Sequence, residues 1–327
     1  MCFSQNIPNH NILPDLLIKL SWYPNLSTNN KPQPTKHFTN NKIISLHFYK
    51  MRDIIKLLGC VFMKVRIISA IVMIAIALPI LIIGGMPFKI FAIILGCCSL
   101  YELFKVRKED KDVPILLKVF SYIALIILIY FGNTNVMQYI IDYKVITLIF
   151  AIYFLPIVFI NDNSKYNIND ALFILGGTIF LGVVFNLFCI IRNTELTYFI
   201  YLLLITIFTD TFALVSGMLI GQHKLCEKIS PNKTIEGFVF GSLLGTIIAG
   251  TFYLTVINPS ANLIYVTLIT LLLSIVGQIG DLFFSSIKRN YKVKDFSNLI
   301  PGHGGILDRL DSFIFVVITY MLFINIL

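Results

Sequence analysis

Nine apolar runs follow one another along this chain, each at or near the roughly 20 residues that a helix needs to cross a bilayer core. They lie near 67–85, 88–104, 115–132, 144–161, 171–191, 198–220, 236–257, 262–284 and 310–327. This spacing predicts an all-α integral membrane protein, a polytopic bundle of about nine transmembrane helices. Composition agrees. The 327 residues are 57% hydrophobic and only 13% charged, a balance foreign to soluble globular domains.

Loop charges set an expected orientation. With the region before the first run placed inside, the inside loops hold Lys105, Arg107, Lys108 and Lys111, then Lys165, then Lys224, Lys228 and Lys233, then the basic cluster of 285–309. The outside loops hold little beyond Lys144 and Arg192. The positive-inside rule then predicts a cytoplasmic N-terminus and a location in the cell membrane. The net charge of +9 belongs to this pattern and to anionic headgroups. No basic soluble module is present to bind nucleic acid.

Residues 1–62 differ from the rest, with many Asn and Pro and no long apolar run. Met63-Lys64-Val65-Arg66, followed by an apolar run, reads as a membrane-protein start. Met63 or Met51 is the expected initiator; the alternative is a genuine tail with a short interfacial helix. The remainder divides into N-terminal membrane helices, 63–204, and a C-terminal region, 205–327, that carries the unusual chemistry. The six cysteines have no metal-ligand spacing and indicate neither a zinc site nor a disulfide framework.

That chemistry is concentrated in residues 285–311, SSIKRNYKVKDFSNLIPGHGGILDRLD. Basic groups suit phosphates, paired Asp suit Mg²⁺, and glycines allow close backbone approach. Asp281 and Asp210 stand in apolar runs, where a carboxylate is costly unless paired, hydrated or metal-bound. Gln278, Asp281, Ser285 and Lys288 recur at i, i+3, i+7 and i+10, so a helix continuing to Arg289 would align them on one face. Asp308 and Asp311 are three apart, and a helix starting near Ile306 would point both the same way and Arg309 elsewhere. A solvated helix end is the ordinary alternative for each pair. Pro301-Gly302-His303-Gly304-Gly305 must be a turn, either one that offers N–H groups to a phosphate or a plain connection. His303 is open between phosphate contact, proton transfer and holding the loop. In the second polar loop, Ser230-Pro231 suggests a turn. Lys233 with Thr234 either binds phosphate or marks a helix start.

These residues resemble a known signature. Ser285-x-Ile287-Lys288-Arg289, Lys294-Asp295, Ser297, Ile300-Pro301, His303-Gly304-Gly305-Ile306 and Asp308-Arg309-Leu310-Asp311 are similar to the motif of phosphatidate cytidylyltransferases (CDP-diacylglycerol synthases). Ile229-Ser230-Pro231-Asn232-Lys233-Thr234-x-Glu236-Gly237 and Asp210 resemble that family too. Leu214, Met218, Gln222 and Ile235 depart from its usual residues.

The resemblance implies transfer of the cytidylyl group of CTP to phosphatidic acid at the cytoplasmic membrane interface, with release of pyrophosphate. It implies Asp281, Asp308 and Asp311 as ligands of Mg²⁺ or their immediate support, with room for a second cation. Ser285, Lys288 and His303 join them in the catalytic set. Arg289, Lys292, Lys294, Lys233, Glu236, Gly304, Gly305, Arg309 and Asp210 are its expected substrate-binding residues. Asp308→Asn is expected to abolish turnover without unfolding the protein. A homodimer is left open. The competing readings are another membrane CTP-dependent lipid kinase or cytidylyltransferase, and an ion-coupled transporter.

Overall fold

The computed structural model describes residues 65–108, 112–131, 143–159 and 166–324. The expected 1–62 extension, Lys111 and Lys165 lie outside these residues. Nine helices are described: α1 Val65–Ile83, α2 Gly85–Lys108, α3 Ile115–Tyr130, α4 Tyr143–Phe159, α5 Ile168–Thr194, α6 Leu196–Ile220, α7 Ile235–Phe252, α8 Leu263–Asn290 and α9 Leu307–Phe323. Each falls on one of the nine apolar runs. Six are long and apolar enough to cross a membrane: α1, α2, α5, α6, α7 with its π-helical continuation Tyr253–Ile257, and α8. The 16 residues of α3 rise only about 24 Å, short of a hydrocarbon core of about 30 Å.

Helix α5 is the hub, and two-thirds of its most apolar stretch is buried. Leu181, Val184 and Phe185 of α5 are fully enclosed, as are Tyr153 of α4, Tyr201 of α6 and Tyr320 of α9. The enclosed tyrosines keep hydroxyl partners: Tyr153 donates to Ser121 Oγ at 2.8 Å and Tyr201 pairs with Thr270 Oγ1 at 2.7 Å. A buried hydroxyl left without a partner would cost a few kcal/mol, so these pairs fix which helices face each other.

Small residues bring α6 and α7 together. A Cβ added to Gly241 would stand 2.7 Å from Ala213 Cβ, and one on Gly245 would stand 2.3 Å from Thr209 Oγ1. Such close approach is how helices pack where no hydrophobic force separates protein from lipid. It also places Asp210, next to Thr209, beside the polar loop that enters α7.

Polar contacts draw several helix ends to one end of the bundle. Arg107 at the end of α2 binds Asp170 in the first turn of α5 at 2.5 Å and Tyr291, just past α8, at 3.2 Å. Arg66 in α1 donates to Gly302 O at 2.9 Å, and Arg289 in α8 donates to Ile229 O at 3.2 Å. At the opposite end Arg192 of α5 closes the last carbonyls of α1, Leu81 O and Ile82 O. One feature departs from an all-helical reading. Between α6 and α7 the chain forms a small antiparallel hairpin, β1 Lys224–Cys226 and β2 Ser230–Thr234, paired Lys224 to Thr234 and Cys226 to Ser230.

Candidate active site

Helix α8 does not stop at the end of its apolar run. It continues to Asn290, so Gln278, Asp281, Ser285 and Lys288 form one inward stripe. Gln278, Ser285 and Lys288 are buried. Gln278 Nε2 donates to Phe238 O at 3.0 Å and Ser242 Oγ at 2.7 Å, locking α8 to α7. Ser285 Oγ donates to Asp281 Oδ1 at 3.3 Å. From the hairpin, Lys233 Nζ reaches Asp281 Oδ2 at 2.6 Å. Helix α9 begins at Leu307, and its Asp308 and Asp311 both meet this stripe. Asp308 Oδ1 accepts from Lys288 Nζ at 2.7 Å, and Asp311 lies within hydrogen-bonding reach of Asp281. Arg309 turns the other way and binds His303 O through Nε and Nη2 at 2.9 and 2.6 Å.

Asp210, Asp281 and Asp311 therefore come from three helices to act on one another electrostatically. Two carboxylates in mutual hydrogen-bonding reach need a shared proton or a cation between them. With Asp308 they make four carboxylates against the ammonium groups of Lys233 and Lys288. This oxygen-only, anion-rich donor set suits a hard cation. Among the described residues no three acidic, His or Cys side chains form a ready-made cage.

The turn before α9 is built differently. Gly302 and Gly304 have φ of +76° and +88°, a left-handed backbone that favours glycine. The N–H groups of His303 and Gly304 both donate to Ile300 O, at 2.9 and 3.1 Å. Gly305 N donates to Asp308 Oδ2 at 2.9 Å, and so does Phe296 N at 3.0 Å. Ile306 N and Leu307 N donate to Glu102 of α2, at 2.7 and 2.8 Å. Every N–H from 303 to 307 thus has a protein acceptor; Gly304 and Gly305 make room for carboxylates, and Gly302 for the side chain of Arg66.

His303 Nδ1 pairs with Ser69 Oγ of α1 at 2.8 Å. The Ser69 hydroxyl also donates to Arg66 O at 3.0 Å, so the ring is tied to α1. Partial burial, then the guanidinium groups of Arg309 and Arg66, hold this imidazole below its ordinary pKa.

The other expected residues form a rim. Arg289, Lys292, Lys294 and Arg309 are exposed, with Lys292 at φ +57°. Arg289 also donates to Val293 O at 3.1 Å. Glu236 stands in the first turn of α7. It accepts from Gln222 N, His223 N and His223 Nδ1, tying the hairpin to the start of α7. Thr234 caps α7 by accepting from Gly237 N at 3.1 Å.

Sequence reasoning missed Glu102. It is a lone carboxylate in the run GCCSLYELF, and the argument that singled out Asp210 and Asp281 applies to it equally. Its partners are about 200 residues away, so its role was not visible in the sequence.

The sequence pattern of the cytidylyltransferase family matches residues 64–327. The chain is 38% identical over 256 residues to a phosphatidate cytidylyltransferase of Staphylococcus haemolyticus, covering 78% of this chain and 96% of that protein. Proteins of the same name from Staphylococcus epidermidis and Staphylococcus aureus are 38% identical over 257 and 256 residues, with the same 78% and 96% coverage.

Proposed function

The chain belongs to the cytidylyltransferase family, and we propose that it transfers the cytidylyl group of CTP to phosphatidic acid, giving CDP-diacylglycerol and pyrophosphate. The observation that carries this reading is the meeting of Asp210, Asp281 and Asp311 with Lys233 and Lys288 at one end of a membrane-helix bundle. A polyanionic nucleotide and an anionic lipid need a cation-binding, basic site that opens both to water and to acyl chains. Loop charge assigns that end to the cytoplasmic face of the cell membrane, where CTP is available.

A phosphatidate oxygen attacks the α-phosphorus of CTP in line. A new P–O bond forms as the bond from the α-phosphorus to the oxygen bridging to the β-phosphate breaks, and pyrophosphate leaves with that oxygen. The attacking phosphate is already ionised near neutral pH, so the protein's task is placement and charge neutralisation. Asp281 and Asp311 are the proposed Mg²⁺ ligands, and Asp210 is placed to share a second cation. Bound Mg²⁺ would neutralise triphosphate oxygens and polarise the phosphorus. Lys233 and Lys288 supply fixed positive charge beside the carboxylates. Ser285 orients Asp281, and Asp308 holds Lys288 while anchoring the turn. Arg289, Lys292, Lys294 and Arg309 form a basic rim at which the lipid phosphate docks.

The test is pyrophosphate release by the purified protein in detergent. Release is expected to require CTP, Mg²⁺ and phosphatidic acid together and to fail with ATP. Equal release with a polyprenyl phosphate in place of phosphatidic acid would reassign the acceptor, and no release from folded protein would reject the reading.

A further inference from the structure

Helix α9 carries Asp308 and Asp311 in its first turns, yet it has no cap of its own. The residue before it is Ile306, whose side chain offers no acceptor. The first N–H groups of a helix must find partners, and the positive end of the helix dipole favours an anion there. Both needs are met by Glu102, which comes from α2 and is 0% exposed. Its Oε1 accepts from Ile306 N at 2.7 Å and from Ser297 Oγ at 2.7 Å, and its Oε2 accepts from Leu307 N at 2.8 Å. These short, charge-assisted bonds set where α9 starts and how it is rotated about its axis. A rotation by one residue would swing Asp311 about 100° away from Asp281.

Gly305 completes the arrangement. A Cβ there would stand 2.5 Å from Glu102 Oε1 and 2.7 Å from both Cδ and Oε2. Gly305 is not among the glycines with positive φ, so its backbone tolerates alanine and only the space is missing. The glycine is a slot for the carboxylate.

We propose that Glu102 is a positioning residue: an N-cap supplied in trans by α2 that fixes the direction of Asp308 and Asp311, with Gly305 kept side-chain-free to admit it. The kinetic part of this inference rests on the reaction proposed above, and the structural part does not.

Glu102→Gln is the first variant. Its amide nitrogen cannot accept a hydrogen bond, so one backbone N–H of Ile306 or Leu307 loses its acceptor. Hydrogen–deuterium exchange at these two amides is expected to quicken at least about tenfold, with the rest of the protein unchanged. Under the proposed reaction kcat falls about 10- to 100-fold while KM for CTP stays within about threefold, the signature of displaced groups that act in the transition state. Unchanged exchange at 306 and 307 would overturn the proposal, whatever reaction the protein catalyses.

A second pair decides the matter if Glu102→Gln does not fold. Gly305→Ala is expected to slow turnover through the clash. The double variant Gly305→Ala with Glu102→Asp, one methylene shorter, is expected to recover at least about fivefold of that loss. A double variant no better than Gly305→Ala would make Gly305 a substrate contact and would overturn its role as the slot for Glu102.

Discussion

Two sets of carboxylates lie side by side in this protein and are treated in opposite ways. In the turn before α9, Glu102 and Asp308 each bind through both oxygens to backbone N–H groups, a hydroxyl or an ammonium. Just beyond it, Asp210, Asp281 and Asp311 act on one another, and Lys233 makes the direct ion pair to Asp281. The first set spends its charge holding backbone in place. The second set crowds acidic groups together, which is unfavourable for the protein alone and, on the proposed reading, useful when a cation and phosphates arrive. On that reading, satisfied carboxylates belong to the scaffold and mutually opposed ones to the chemistry, even when they are neighbours in one motif.

The largest effect is expected on the opposed set. Asp281→Asn and Asp311→Asn should each lower kcat by about 10³-fold or more, because charge neutralisation of the triphosphate depends on them. The melting temperature of Asp311→Asn in detergent should hold or rise, since like-charge repulsion is relieved, whereas Asp281→Asn also takes the carboxylate away from Lys233 and should melt somewhat lower. A marked fall in melting temperature with turnover kept would move these residues into the scaffold.

Asp308→Asn should behave otherwise. The buried Lys288 ammonium would lose its carboxylate, and breaking one partner of a buried pair costs about 3–5 kcal/mol. Melting temperature and turnover should fall together, in contrast to the sequence-based expectation of a folded, inactive variant. Unchanged melting with lost turnover would return Asp308 to the cation-binding group.

Thr234→Ala tests the hairpin side. As the cap of α7, Thr234 should contribute about 1 kcal/mol to stability, and its loss should leave KM for CTP within about threefold. A tenfold rise in KM without destabilisation would instead support a phosphate contact.

The smallest effect concerns His303, whose native pKa lies below its ordinary value. The folded protein thus binds fewer protons than the unfolded chain between that lowered pKa and about 6.5, so stability rises with pH through this window. Above about pH 6.5 both states hold a neutral ring and the contribution vanishes. Melting temperature should drop as pH falls from 7 to 5.5, and His303→Asn should flatten part of that slope. An identical slope in the variant would assign it to other groups.

Much of this was legible in the sequence because apolar length and helical spacing are local signals. Every helix described falls on a predicted run, and the i, i+3, i+7, i+10 spacing from Gln278 to Lys288 placed those four residues on one face. The helix ends were less legible. Helix α8 extends six residues past its apolar run, since Ser285 to Asn290 find protein and polar partners where lipid ends. The protein neighbours of the glycines and of Asp308 were hidden for another reason. A glycine that admits a phosphate and one that admits a carboxylate look the same in sequence, and only the position of Glu102, two hundred residues upstream, separates them. The hairpin was not legible as strands, because its pairing spans only a few residues, and Ser230-Pro231, expected as a turn, opens β2 while the turn itself falls at residues 227–229.

The decisive measurement sets pyrophosphate release by the wild-type protein beside that of Asp311→Asn, each with CTP, Mg²⁺ and phosphatidic acid. The wild type should release pyrophosphate only with all three present, and the variant should be silent while melting at or above the wild-type temperature. Release that ignores phosphatidic acid, or a variant within tenfold of wild type, would contradict the assignment of the chemistry to the opposed carboxylates.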